Sequence, residues 1–150
     1  MLALEITAIA ISTAALIVSL IGGAFSIYSY FRNKAIEAYT NLDALYLEVL
    51  KLGIANPRFA DASLTRDYHS KFSGDERQKY ELYAFIAWNV CETIYDRRRN
   101  KAVLKSWCPI IKTENNLHRA WFDDPKNHSK FKPEFRRYIL ENFPFSNAAD

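Results

Sequence analysis

The sequence predicts an all-α protein, with one N-terminal transmembrane helix continuing into a compact helical domain of four or five helices. Three observations predict it. No charged residue occurs from Ile6 to Phe31. Beyond that run, apolar residues recur at steps of three and four, the period of a helix with one buried face. Gly and Pro are scarce, 4 and 5 of 150 residues, while aromatic residues reach 15 %. That composition suits an ordered chain, and no low-complexity tract or internal repeat interrupts it.

The apolar run comes first. A bilayer core about 30 Å thick needs ~20 helical residues, and Ile6 to Phe31 supplies them. Tyr28, Tyr30 and Phe31 then cluster just before Arg32 and Lys34, as rings at headgroup depth followed by cations do at a membrane exit. A cleaved signal peptide is the alternative, with Gly22-Gly23-Ala24 as its processing site. Against it, Met1 to Glu5 carries no Lys or Arg and does carry an acid, whereas a signal peptide opens with positive charge. The expected organisation is an anchor over 1–31 with its span at about 6–28, a helical domain over 32–143, and a frayed tail over 144–150. Arg32 and Lys34 flank only the C-terminal end. The positive-inside bias therefore expects the N-terminus outside and the domain cytoplasmic, where Cys91 and Cys108 would be reduced thiols.

One face of the anchor is lined with small residues. Ala15, Ser19, Gly22 and Gly23 fall at helical steps, a pattern that lets two helices approach closely in lipid. It predicts packing against a second copy or a larger membrane protein. Small residues are also common in solitary anchors.

The helix is expected to run on past the membrane. Ala35, Tyr39, Leu42, Tyr46 and Val49 repeat at steps of four and three, flanked by Ala38, Leu45 and Leu52. Gly53 and Asn56-Pro57 should end it, since proline cannot continue a helix and disfavours helical angles before it. Residues 55–74 read as a loop with one short helix near 60–68. Ser73 and Glu76 match a capping box. The helix they open should bury Tyr80, Tyr83, Ala84, Ala87, Cys91, Ile94 and Tyr95, with Phe85 and Trp88 widening the stripe. Cys91 on that stripe reads as a small core hydrophobe. A helix over 102–111 follows, and Pro109 is expected to kink it or begin another. A further stretch over 113–122 ends at Asp123-Asp124-Pro125. The last helix opens at Lys132-Pro133, proline suiting the first helical position and Glu134 the first turn. Phe131, Phe135, Tyr138 and Ile139 form its buried face.

Charge and motifs bound the chemistry. A net charge of +3 is mild, and the aromatics fall on apolar stripes, so nucleic-acid binding is not expected. The two cysteines show no zinc or disulfide spacing. Phosphate-cradling glycine loops, G-x-S-x-G and H-E-x-x-H are all missing. Arg97, Arg98 and Arg99 are a candidate site for acidic groups, although a solvated helix end would use the same cations against its dipole. Glu114 and His118 stand four apart and share a helix face. With His128 or an aspartate they are candidate metal ligands; the alternative is a hydrogen bond that orients the helix against the core. His69 has no evident partner. No cofactor is expected.

The anchor with its basic flank, "LGIANPRFAD", "YAFIAWNVCETIYD", "SWCPIIKTENNLHRAWF" and "FKPEFRRYI" together resemble small bacterial single-pass membrane proteins of unknown function. The resemblance spans nearly the whole chain. It implies an N-terminal anchor in the cell membrane and a compact helical cytoplasmic domain, and it transfers no activity. The expected role is interaction or scaffolding at the cytoplasmic face, with the bilayer, a second copy or a larger membrane protein as partner. The alternative is a membrane-tethered, metal-dependent enzyme built on Glu114 and His118.

Overall fold

Helix α1, Leu2–Ala55, is one unbroken α-helix of 54 residues. The structure, a computed structural model, describes residues 2–144, without the side chains of residues 2–5, 7, 8, 10, 35 and 38. The expected tail lies outside the described residues beyond Pro144. After α1 come a 3-10 turn at Pro57–Ala60, α2 (Ala62–Thr65), α3 (Tyr68–Lys71), α4 (Gly74–Asp96), α5 (Lys101–Asp123), a second 3-10 turn at Pro125–Lys130, and α6 (Pro133–Asn142). All elements among the described residues are helical. After α1 the described residues hold five α-helices and two 3-10 turns, and two of those helices, α2 and α3, are single turns within the stretch read as a loop.

The chain divides into two compact units, Met1–Thr40 and Asn41–Asp150. In the first, α1 is long and apolar enough to cross a membrane, near the N-terminus. Among the described side chains of this stretch, Leu16, Val18, Ile21, Phe25 and Ile27 are exposed. Thr13 Oγ1 donates to the Ile9 carbonyl at 2.8 Å and Ser26 Oγ to the Gly22 carbonyl at 2.9 Å. These two hydroxyls are thus satisfied within the helix, a condition that a membrane span would impose.

In the second unit, the last turns of α1 bury Leu42 and Val49 fully, while Tyr46 is half-buried. Leu45 and Leu52 stay 40 % and 39 % exposed, so the fully buried stripe is narrower than the sequence suggests. Gly53 does not end the helix. It lies buried inside the last turns, and α1 stops at Ala55 because Asn56, ahead of Pro57, leaves helical angles (φ −136°, ψ 73°).

The short turns that follow deliver aromatic side chains to α4. Phe59, Tyr68 and Phe72 are each at least 97 % buried and gather round Tyr80, with ring centroids 5.7, 5.2 and 4.8 Å away. The expected capping box at the start of α4 does not close. Ser73 makes no side-chain cap bond, and Glu76 is taken by Arg58 instead. The helix starts through Gly74 at φ +52°, a left-handed angle that glycine adopts without steric cost.

Helix α4 buries the stripe the sequence marks: Tyr80, Tyr83, Ala84, Ala87, Trp88, Cys91, Ile94 and Tyr95. Trp88 stacks on Phe122 at 4.0 Å, and Phe131, just ahead of α6, and Phe135, in its first turn, pack against Phe122. Burying a side chain of this size contributes roughly 1.5–3 kcal/mol. Pro133 occupies the first turn of α6 and Glu134 the positive end of its dipole, as expected. Trp107 and Trp121 also belong to this unit and are buried.

Candidate functional site

Helix α5 carries Glu114 and His118, two of the polar residues singled out in the sequence. Its start is fixed by the Asn100 side chain, which accepts from the backbone of Ala102 and Val103 at 3.1 and 3.3 Å. Pro109 lies inside the helix without ending it. The break comes further on, at His118 (φ −122°, ψ 16°). There the indole N–H of Trp88 donates to the His118 carbonyl at 3.2 Å, a side chain entering the backbone ladder, which is a recognised cause of helix kinks.

One turn apart on this helix, Glu114 and His118 come together as their spacing predicts. Both are buried, His118 completely and Glu114 to within 3 %. Tyr46, from the end of α1, donates its hydroxyl to Glu114 Oε1 at 3.1 Å. Tyr80, from α4, meets His118 Nδ1 at 3.2 Å. The two atoms left without a hydrogen-bond partner, Glu114 Oε2 and His118 Nε2, stand 3.5 Å from each other. The edge of Tyr83 closes over the imidazole, ring centroids 5.2 Å apart.

Burial governs the charge state. It pushes Glu114 up to about 7, partly opposed by the Tyr46 hydrogen bond, and drives His118 down to about 3. Between those limits the pair is held uncharged, which avoids the cost of an ion in the core. Burial raises the hydroxyls of Tyr46, Tyr80 and Tyr83 as well. The arrangement is a polar pin joining α1, α4 and α5, and a substrate would have to open the core to reach it.

The remaining ligand candidates are not brought to this pair. His128 lies exposed on the second 3-10 turn, its Nε2 3.0 Å from the Asp123 carbonyl oxygen. Asp123 accepts from Arg119 at 2.6 Å. No three His, Cys, Asp or Glu side chains among the described residues are placed to hold a metal ion. His69 does have a partner, Asp124 Oδ2 at 3.2 Å; Asp124 also accepts from the Tyr68 hydroxyl at 2.8 Å. Nothing in the sequence signals that long-range cluster.

The three arginines diverge. Arg97 donates to Asn41 Oδ1 at 2.9 Å. Arg98 lies over the Tyr95 ring at 3.9 Å, and Arg99 is exposed. Ala15, Ser19, Gly22 and Gly23 all lie exposed on α1, and a Cβ on either glycine would meet nothing within 4 Å. Cys91 is buried and Cys108 half-buried, both free thiols. Burial raises the Cys91 thiol well above its ordinary range.

The sequence reading missed a groove on the outer side of α5. It measures about 650 Å³ and is lined by Lys101, Leu104, Lys105, Cys108, Lys112 and Tyr138, with Pro109 between them. Its sequence signal is a charge asymmetry. From Arg97 to Thr113 there are six basic residues and no acid. In comparisons with protein-family models, with curated proteins and with solved structures, none matches the chain.

Proposed function

We propose that this protein is a single-pass, membrane-anchored helical interaction or scaffold protein, its N-terminus outside the cell membrane and its domain at the cytoplasmic face. The observation that carries this reading is the uncovered apolar surface of α1. Large apolar side chains from Ile11 to Phe31 are exposed, and Leu47, Leu50 and Ile54 remain 50 %, 44 % and 79 % exposed near the helix end. At 100° per residue those three fall within an arc of roughly 60°, displaced by roughly 80° to 160° from the buried Leu42 and Val49. The first stretch suits lipid and the second suits a protein partner. The small-residue face at Ala15, Ser19, Gly22 and Gly23 supports self-association within the bilayer. Arg32 and Lys34 support the orientation. The resemblance to small bacterial single-pass membrane proteins agrees with this topology.

Two measurements test the reading. The protein should stay with membranes through alkaline extraction, and Ile17→Lys with Leu20→Lys should release it, since each central lysine costs roughly 2.5–3.5 kcal/mol of insertion. A photo-crosslinking residue at Leu50 should yield an adduct of defined mass in native membranes. A chain that washes off the membrane refutes the anchor. A chain that stays but forms no adduct at Leu50 or Ile54 refutes the scaffold.

A further inference from the structure

We infer that the groove along the outer face of α5 binds the headgroup of an acidic phospholipid, Lys101, Lys105 and Lys112 taking the anionic group and Leu104, Cys108 and Tyr138 the upper part of the acyl chains. The inference rests on the membrane-anchored reading above and names a partner for it.

Geometry supports it. Lysines 101, 105 and 112 are separated by four and seven residues, so on a helix they fall within an arc of roughly 40°. All three are exposed, and no acidic side chain among the described residues pairs with any of them. Lys51, Lys126 and Lys132 each have a carboxylate within 3.0 Å; what sets the groove lysines apart from the other lysines without one is that they line a single apolar trough. Between the lysines the floor is apolar and concave. A row of unpaired cations over an apolar trough suits a molecule that is anionic at one end and apolar at the other. Clusters of this kind at a cytoplasmic surface attract acidic lipid. A covalent anchor in the same bilayer keeps lipid at high effective concentration around the groove.

The chain carries its own probe. Cys108 lies in the groove and is half-buried, while Cys91 is fully buried with its thiol held protonated. Reaction with a small maleimide therefore reads groove occupancy at Cys108. The full-length protein is reconstituted into lipid nanodiscs of phosphatidylcholine alone, or with about a third phosphatidylserine, and the labelling rate is measured. Labelling is expected to be roughly tenfold slower in the acidic discs. The slowing should vanish in Lys101→Gln/Lys105→Gln/Lys112→Gln and weaken at high salt. A chain with Cys108→Ser and Ser70→Cys reports the general effect of a negative surface on the reagent, and should be slowed far less.

Equal rates in the two discs overturn the inference, as does equal slowing at Ser70→Cys. Protection in native membranes but not in acidic discs would assign the groove to a protein and also overturn it. Disc association is read separately, by co-elution. A chain that does not enter discs removes the anchor reading, and this inference with it. A chain that enters but shows no protection removes this inference alone.

Discussion

The Gly53 backbone and the Tyr83 hydroxyl pack so closely that a Cβ on Gly53 would lie 2.9 Å from that oxygen, with the next ring carbon at 3.6 Å. Glycine inside a helix normally costs 0.5 to about 1 kcal/mol relative to alanine. Here it lets α1 settle onto α4. Tyr83 cannot easily retreat, because its ring lies between Phe59 and His118. Gly53→Ala is expected to lose about 1 kcal/mol net, an overpacking cost of about 1–3 set against the helix gain. With Tyr83→Phe the nearest neighbour becomes the carbon at 3.6 Å, an ordinary contact. In that background Gly53→Ala should stabilise the protein by about 0.5 kcal/mol. Denaturant titration of the four variants checks the reversal, and a like-signed effect in both backgrounds would refute it.

Stability should be flat through mildly acidic pH and fall on both sides. Glu114 is raised from 4.5 to about 7, so the folded state holds a proton the unfolded state releases. That contribution is full below 4.5 and fades as pH rises to about 7. His118 is lowered from 6.5 to about 3, so the unfolded state takes up a proton the folded state refuses. Its contribution is full above 6.5 and fades as pH falls to about 3. Between 4.5 and 6.5 the two slopes cancel. Glu114→Gln should therefore move the onset of acid destabilisation from near pH 4.5 to near pH 6.5. His118→Gln should uncover a decline with rising pH from about 4.5 to 7, on the order of 3 kcal/mol in total. Equilibrium unfolding at half-unit pH steps decides it; an unchanged acid limb in Glu114→Gln would sink the account.

Trp88 is expected to matter more than its bulk indicates. Trp88→Phe keeps a ring near Phe122 but removes the donor to the His118 carbonyl. A buried carbonyl left unpaired costs about 1–3 kcal/mol, and the lost ring volume adds to it. A total loss of about 2–4 kcal/mol is expected, with faster amide exchange concentrated in α5 beyond the kink. A loss below about 1 kcal/mol with unchanged exchange would show that the kink does not depend on the indole.

How much of this was legible in the sequence depended on how far apart the interacting residues stand. Buried stripes are local patterns, so the face of α4 from Tyr80 to Tyr95 and the opening of α6 at Pro133 could be read directly. Pro57 likewise acts on its immediate neighbour, and α1 ends at Ala55. Features set by distant partners could not be read. Gly53 looks like a helix stop until Tyr83 is placed on it. Ser73 and Glu76 match a capping box until Arg58 claims the carboxylate. Pro109 looks like the kink, whereas the bend comes at His118, where Trp88, thirty residues earlier, takes the carbonyl. The same divide runs through the candidate site. The Glu114–His118 pairing follows from a four-residue spacing, but its closure by Tyr46, Tyr80 and Tyr83 depends on tertiary packing. The basic groove was visible only as an absence of acids between Asp96 and Glu114.

The placement of tryptophan has an optical consequence. The chain has three, Trp88, Trp107 and Trp121, and all belong to the unit that begins at Asn41. Excited selectively at long wavelength, the protein therefore emits from this unit alone, and the apolar segment before Arg32 stays dark whatever surrounds it. Trp88 emission carries the finest detail, because its indole N–H is held by the carbonyl at the kink and its ring is stacked on Phe122. Opening of the polar pin would thus register as a colour change in an intact, unlabelled protein, free of background from the N-terminal apolar segment.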